Sequence, residues 1–353
     1  MTALSRNTIL VGDALTRLRE LPERSVDCVV TSPPYYQLRD YGVTGQLGLE
    51  PTVEDWVDNL RAVMAEVGRV LAPYGSVWLN LGDSYSAHRR YGAAPKGLLL
   101  APERLLLRLA ADGWLVRNKV VWAKTNPLPT SVSDRLTTTY ELLYLLVRAR
   151  RYYFDLDAIR DAPTVHRRPT TTKTLDGTWS APLAAPRGGL AALKAEGRSG
   201  HLLGKNPGDV WRQPTRGYRG AHFATFPETL IHRPILASCP EVVCTGCGQP
   251  WRRRAMLRHV GAPATPIRDR YVQHYDRRWL TLHQRGSLVP CDCGGSTRPG
   301  LVLDPFFGTG TVGAVAANLG RDWLGIELNP AYVALAETRL GNAAHAPPRQ
   351  VAA

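Results

Sequence analysis

The chain has 353 residues, 44% of them hydrophobic, and a formal net charge of +14 from 44 Lys and Arg against 30 Asp and Glu. That apolar content can bury one large core, or one core with a small satellite module. No apolar run approaches a membrane span and Met1 to Arg6 lacks a signal peptide's hydrophobic region, so a cytoplasmic protein with no membrane association is expected. The excess charge suits a polyanionic partner. Only six of the 44 basic residues are lysine; arginine suits guanine and phosphate, and a GC-rich genome favours the same composition.

In chain order, Ile9 to Ala14 predicts a strand ending on Asp13, and the apolar run Val26 to Val30 predicts a buried one. The second run stops on Thr31-Ser32-Pro33-Pro34-Tyr35. A strand ended by two prolines leaves carbonyls without ladder partners, because Pro34 cannot donate and its neighbours leave helical geometry. Such carbonyls accept hydrogen bonds from an NH2 group, Ser32 adds a side-chain oxygen, and Tyr35 offers a flat ring for a planar base. Taken alone, the stretch also reads as an ordinary strand-to-loop exit.

Apolar positions at helical spacing from Asp55 to Leu71 predict an amphipathic helix, followed by a strand over Ser76 to Leu81 that leads into Gly82-Asp83. Pro102 to Ala111, with Pro at its start and Gly113 beyond its end, predicts the next helix. Leu115 to Trp122 and Leu142 to Val147 read as strands. From about Asp161 to Lys205 periodicity gives way to Thr, Pro, Gly, Ala and basic residues, which suits either a recognition loop or a linker.

Near the other end, Leu301 to Asp304 predicts a short buried strand, then the turn Pro305-Phe306-Phe307-Gly308-Thr309-Gly310-Thr311 and a helix from Val312 to Leu319. Glycines there let backbone approach a nucleotide-like ligand at the end of a parallel strand. Trp323 to Glu327 then gives a strand ending on a carboxylate about twenty residues on, placed to accept from two ribose hydroxyls. Neither G-x-G-x-x-G nor G-x-x-x-x-G-K-[ST] occurs, which disfavours a nicotinamide or nucleoside triphosphate. The alternation of strands and helices predicts an α/β sheet with helices on both faces. Asp13, Ser32, Asp83, Asp304 and Glu327 all fall at strand C-termini.

The pair T-S-P-P-Y and D-P-F-x-G-x-G-T resembles the S-adenosylmethionine-dependent amino-methyltransferases of DNA. Its order, amine motif first and cofactor loop last, resembles their circularly permuted β group, over roughly residues 7 to 342. The resemblance implies a Rossmann-like class I methyltransferase sheet, permuted, acting on double-stranded DNA. It places the target amine at Ser32, Pro33, Pro34 and Tyr35. It places the cofactor at Asp13, Thr31, Phe226, Pro227, Asp304, Pro305, Phe306, Gly308, Gly310, Thr311, Glu327 and Asn329. Phe223 to Glu228 resembles the segment that opens the cofactor-side helix. Catalytic and cofactor halves are expected over 7–160 and over 206–240 with 299–342, a target-recognition loop over 161–205, and a tail from 343 to 353. Relatives with Ser before Pro-Pro mostly act on cytosine N4 and those with Asp mostly on adenine N6, so N4-methylcytosine is favoured and N6-methyladenine is the alternative. A cognate restriction endonuclease is a possible partner, and a monomer or homodimer is expected.

The chemistry this implies is in-line methyl transfer without a covalent nucleophile. Cytosine C5 methylation needs a Pro-Cys nucleophile, and Pro290-Cys291 lies among residues spaced as metal ligands. Those are Cys244-x2-Cys247 and Cys291-x-Cys293, separated by 43 residues and flanked by Gly246, Gly248, Gly294 and Gly295. They predict a structural Zn2+ site stapling an autonomous insert over 241–298, although ribbons more often have two residues inside the second pair. Cys28 and Cys239 read as packing residues, and Asp83 and Asp209 as secondary candidates for the pocket or its loops. A DNA-binding protein that keeps the fold without the activity is the rival of another class.

Overall fold

The structure, a computed structural model, describes residues 4–161, 204–215, 226–260 and 280–344, with the side chains of 254–260, 280–285 and 342–344 excepted. The segment expected to read the target, apart from its ends, lies outside the described residues, as do Phe223 to Thr225 and the expected tail beyond residue 344. By contacts the chain forms two compact units. The first, residues 1–155, 208–251 and 291–351, contains the main sheet.

The strands of that sheet are β1 (Thr8–Val11), β2 (Val26–Thr31), β3 (Leu71–Leu81), β4 (Leu115–Lys124), β5 (Tyr140–Val147), β6 (Val210–Gln213), β11 (Leu301–Asp304) and β12 (Asp322–Glu327). They lie in the order β1-β12-β11-β2-β3-β5-β4-β6. The run from β1 to β3 is parallel, and β4 and β6 are parallel to each other. Only β5 runs against its neighbours. The helices are α1 (Ala14–Glu20), α2 (Val53–Val70), α3 (Ala101–Ala111), α4 (Glu228–Ser238), α5 (Thr311–Asn318) and α6 (Pro330–Ala344).

The period-2 pattern of the strands sorts their side chains into two cores, one on each face. Leu142, Tyr144 and Leu146 of β5, with Leu301 and Leu303 of β11, join Leu18 of α1, the apolar stripe of α2, and Leu105 and Leu109 of α3. The alternate residues Leu143, Leu145 and Val147, with Val302, meet Leu230 and Ile235 of α4, Val312 and Val315 of α5 and Ala336 of α6. The sheet is thus covered on both faces, as the strand and helix alternation predicts. Thr52 starts α2 with a reciprocal capping box, its hydroxyl taking the Asp55 N–H while Asp55 takes the Thr52 N–H at 3.0 Å.

Between α4 and β11 the first unit also holds β7 (Val243–Cys244) antiparallel to β10 (Thr297–Arg298). Gly300 stands against Pro240, so the two ends of the cysteine-bearing insert meet: a Cβ at Gly300 would lie 2.3 Å from the Pro240 carbonyl oxygen. The second unit, 156–207 and 252–290 with the last two residues, contains the antiparallel pair β8 (Arg252–Val260) and β9 (Leu280–Val289). The four cysteines therefore belong to the unit of the sheet and the strand pair between them to the other.

Candidate active site

Because β1, β2, β3, β11 and β12 point the same way, the residues beyond their C-terminal ends gather at one edge. β4 shares that direction, since both β3 and β4 oppose β5. Lys124 therefore ends at the same edge, and Glu141, in register with Trp122, starts there. A cavity of about 750 Å³ opens at this edge.

The turn from Ser32 to Tyr35 forms one wall. Of the carbonyls that the prolines release, that of Pro34 accepts the indole N–H of Trp56 at 2.9 Å. The Tyr35 ring lies against the Gly82 backbone, where a Cβ would stand 2.7 Å from Cε2. Its hydroxyl joins a directed series of hydrogen bonds. Ser32 Oγ donates to Tyr35 Oη at 3.2 Å, Tyr35 Oη donates to Glu141 Oε2 at 2.8 Å, and Lys124 Nζ donates to Glu141 Oε1 at 2.6 Å. Asn80 Oδ1 lies 3.2 Å from the same hydroxyl, its amide held by the Leu142 carbonyl. Burial, with the Glu141 charge beside it, pushes the Tyr35 phenol well above its ordinary range, so it stays protonated.

The glycine turn, which follows the neighbouring strand β11, lines the same cavity. Phe307 anchors it, stacked on Trp323 at 5.3 Å between centroids, in space that a Cβ on Gly325 would invade at 2.4 Å from the ring. Gly308 and Gly310 adopt φ of +52° and +77°, the left-handed region that favours glycine. Two carboxylates hold the loop from beneath. Asp304 Oδ1 accepts from Thr31 Oγ1 at 2.7 Å and from the Phe306 N–H at 3.0 Å, which also ties the loop to the T-S-P-P-Y turn. Glu327 accepts the Gly308 N–H at 2.7 Å and the Asn329 N–H at 2.8 Å. Burial pushes Asp304 up to about 7 against the pull of its two donors, and raises Glu327 as well.

Asp13, Phe226, Pro305, Phe306, Thr311 and Asn329 also line the cavity. Strand β1 ends at Val11 rather than running to Asp13. Asp13 instead caps α1, accepting the Thr16 N–H and hydroxyl at 2.8 Å each. Pro227 is the N-cap of α4 and Gly310 that of α5. Asp83 is spent on loop structure: it accepts backbone N–H groups of Ser84, Leu100 and Ala101 and so holds the N-terminal start of α3, and it does not line the cavity. Asp209 is exposed and outside the lining.

Sequence reasoning missed Asn80, Lys124 and Glu141. A signal existed for the last two: Lys124 is one of six lysines and ends an apolar strand, and Glu141 opens another. Their meeting depends on β5 running backwards.

Apart from this cavity, Cys244, Cys247, Cys291 and Cys293 place their Sγ atoms within 4.8 Å of one another. Backbone N–H groups, that of Cys247 foremost, with the neighbouring Cys293 thiol, push Cys244 down to about 6. Cys28 and Cys239 are buried packing residues.

At this parallel-sheet edge the Ser32-to-Tyr35 turn and the glycine loop line one cavity, the arrangement expected of an amino-methyltransferase of nucleic acid bases. The model of the DNA methylase family matches residues 26–244 and 295–338, and the chain belongs to that family, the S-adenosylmethionine-dependent DNA amino-methyltransferases. The type II methyltransferase M.XycI of Xanthomonas campestris pv. cyanopsidis is 34% identical over 96% of this chain and 88% of its own. M.SmaI of Serratia marcescens is 31% identical over 94% and 90%. Among solved structures, the cytosine-N4-specific PvuII DNA methyltransferase superposes with a TM-score of 0.56 at 18% identity, covering 95% of this chain and 86% of its own. TTHA0409 of Thermus thermophilus, complexed with S-adenosyl-L-methionine, gives 0.50 at 24% identity, with coverage of 95% and 93%.

Proposed function

We propose that the protein methylates the exocyclic N4 amine of a cytosine flipped out of double-stranded DNA. The observation that carries this reading is the shared cavity: the Ser32-to-Tyr35 turn and the glycine loop both line one space of about 750 Å³. Base and methyl donor can therefore be held within reach of each other.

S-adenosylmethionine, when bound, supplies a methyl group on a positively charged sulfur. The chain fits such a ligand with apolar walls at Phe226 and Phe306, close backbone approach at Gly308, and the Glu327 carboxylate for ribose hydroxyls. Asp13, Pro305, Thr311 and Asn329 would complete its surroundings, and Thr31, Pro227, Asp304 and Gly310 hold the walls in place.

The exocyclic amine is a poor nucleophile because its lone pair is shared with the ring. Ser32 Oγ and the Pro33 carbonyl accept its hydrogens and favour the pyramidal geometry of attack. As the N–C bond forms and the C–S bond breaks toward sulfur, the amine nitrogen must shed a proton. The directed hydrogen bonds supply a route: the amine proton passes to Ser32 Oγ, the Ser32 proton to Tyr35 Oη and the Tyr35 proton to Glu141. Lys124 holds Glu141 in line. Tyr35 so acts through its hydroxyl as well as through the face it offers the base.

Preference for cytosine N4 rests on Ser32 in the place where relatives acting on adenine N6 mostly carry Asp, and is supported by the cytosine-N4 specificity of the PvuII enzyme. The relatives' type II names support a cognate restriction endonuclease as a partner, and residues 161–205 are proposed as the target reader. The four cysteines are proposed to hold one Zn2+. Nucleoside mass spectrometry of DNA incubated with protein and S-adenosylmethionine tests the main reading, with N4-methylcytosine expected. N6-methyladenine as the sole product would overturn the base assignment, and no methylated nucleoside on any DNA would overturn the activity.

A further inference from the structure

We infer that the four-cysteine cluster, loaded with zinc, is a brace of the catalytic sheet itself, coupling metal occupancy to the strand that carries Ser32. The inference rests on the zinc reading above and departs from the autonomous module that spacing alone suggests.

The cluster is shaped for one tetrahedral ion. Four sulfurs bound at about 2.3 Å stand about 3.8 Å apart. Here Cys244 and Cys293 are 3.2 Å apart, Cys291 and Cys293 3.4 Å, and the whole set lies within 4.8 Å. The backbone folds tightly around them. Gly248 and Gly294 adopt φ of +69° and +68°, and a Cβ on Gly295 would lie 2.9 Å from Cys244 Sγ.

The segment beyond the cluster reaches into the sheet. Cys244 of β7 pairs with Thr297 of β10, and the next residue, Arg298, forks onto both carboxylate oxygens of Asp27. Asp27 lies in β2 with 0% exposure. The same carboxylate accepts the Leu301 N–H of β11 at 2.7 Å and the hydroxyl of Tyr74 in β3. One buried charge thus joins the cluster to three adjacent strands, and β2 continues into Thr31 and Ser32. The β7–β10 pairing is two residue pairs long, too short to fix Arg298 unaided. Once no ion ties the four ligands together, only that short pairing holds β10, so loss of the ion frees Arg298 and strands the Asp27 charge in the core.

The test uses the full chain purified without chelator. Metal analysis by mass spectrometry is expected to give one zinc per chain, and cobalt substitution the visible absorption of tetrahedral thiolate ligation. On removal of zinc, hydrogen exchange of peptides covering Val26–Thr31 should quicken at least tenfold. Arg298→Met, which keeps the apolar stem, should reproduce that change with zinc still bound. Should the metal-free protein aggregate, zinc release to a chromogenic chelator replaces exchange, and it should run at least tenfold faster from Arg298→Met than from the parent, since coupling is reciprocal. Absence of both zinc and cobalt binding overturns the metal site. A bound zinc whose removal leaves β2 exchange unchanged, or equal release from parent and variant, overturns the brace and leaves the metal site standing.

Discussion

Asp304 pits the fold against the site, and Asp304→Asn separates the two. Burial lifts its carboxyl from an ordinary value of 3.8 to about 7, although Thr31 and Phe306 both donate to it. Between those values the native state holds more protons than the unfolded chain, so this group's stabilising contribution is fully present below about pH 4 and is lost as pH rises to 7. At about 1.4 kcal/mol per unit, the full span amounts to roughly 4 kcal/mol. Asparagine keeps the Oδ1 acceptor and does not titrate. Its buried NH2 costs about 1–3 kcal/mol, but equally at every pH. The stability of Asp304→Asn relative to the parent should therefore rise by about 2.5 kcal/mol from pH 5 to pH 8 and level off above. Urea denaturation without cofactor, at half-unit steps of pH, measures it. Parallel pH profiles for parent and variant would refute the argument that burial of a charge at Asp304 strains the fold.

Ser32→Ala, Tyr35→Phe and Glu141→Gln should each lower kcat by about 10²- to 10⁴-fold, the scale of positioned proton transfer, while calorimetry shows S-adenosylmethionine affinity nearly unchanged. A variant that instead abolished cofactor binding while folded would show the roles misassigned. Glu327→Ala should do the opposite and weaken cofactor binding, because it removes both the ribose acceptor and the partner of the Gly308 N–H; unchanged affinity would sink the cofactor placement. Phe307→Ala should cost about 3–5 kcal/mol in urea denaturation, since a ring stacked on Trp323 leaves a cavity that Gly325 and Gly313 cannot fill. DNA affinity should fall about 10³- to 10⁵-fold from 50 to 200 mM salt if six to ten phosphates are contacted, and a flat profile in filter binding would argue against the basic charge as the source of affinity.

The local sequence determines more of this protein than its helices and strands. Apolar alternation in Leu142 to Val147 and Leu301 to Leu303 already dictates a sheet covered on both faces, because neighbouring side chains must leave a strand on opposite sides. Pro33-Pro34 and Gly308-x-Gly310 mark two parts of the cavity lining, since proline ends strand pairing by lacking an N–H and the left-handed backbone at Gly308 and Gly310 favours glycine. Even the cysteine cluster is legible from spacing. The role of each residue at its place was decided by tertiary structure. Asp13, Asp83 and Asp304 look alike as carboxylates after strands, yet the first caps α1, the second holds the start of α3 from a loop away, and the third is buried beneath the glycine turn. Glu141 reaches Tyr35 across 106 residues only because β5 runs against the sheet, and Arg298 reaches Asp27 across 271 only because the insert's two ends meet at Gly300. Local patterns report the conformation of neighbours in the chain, whereas these partners are chosen by strand order and direction, which no window of sequence contains.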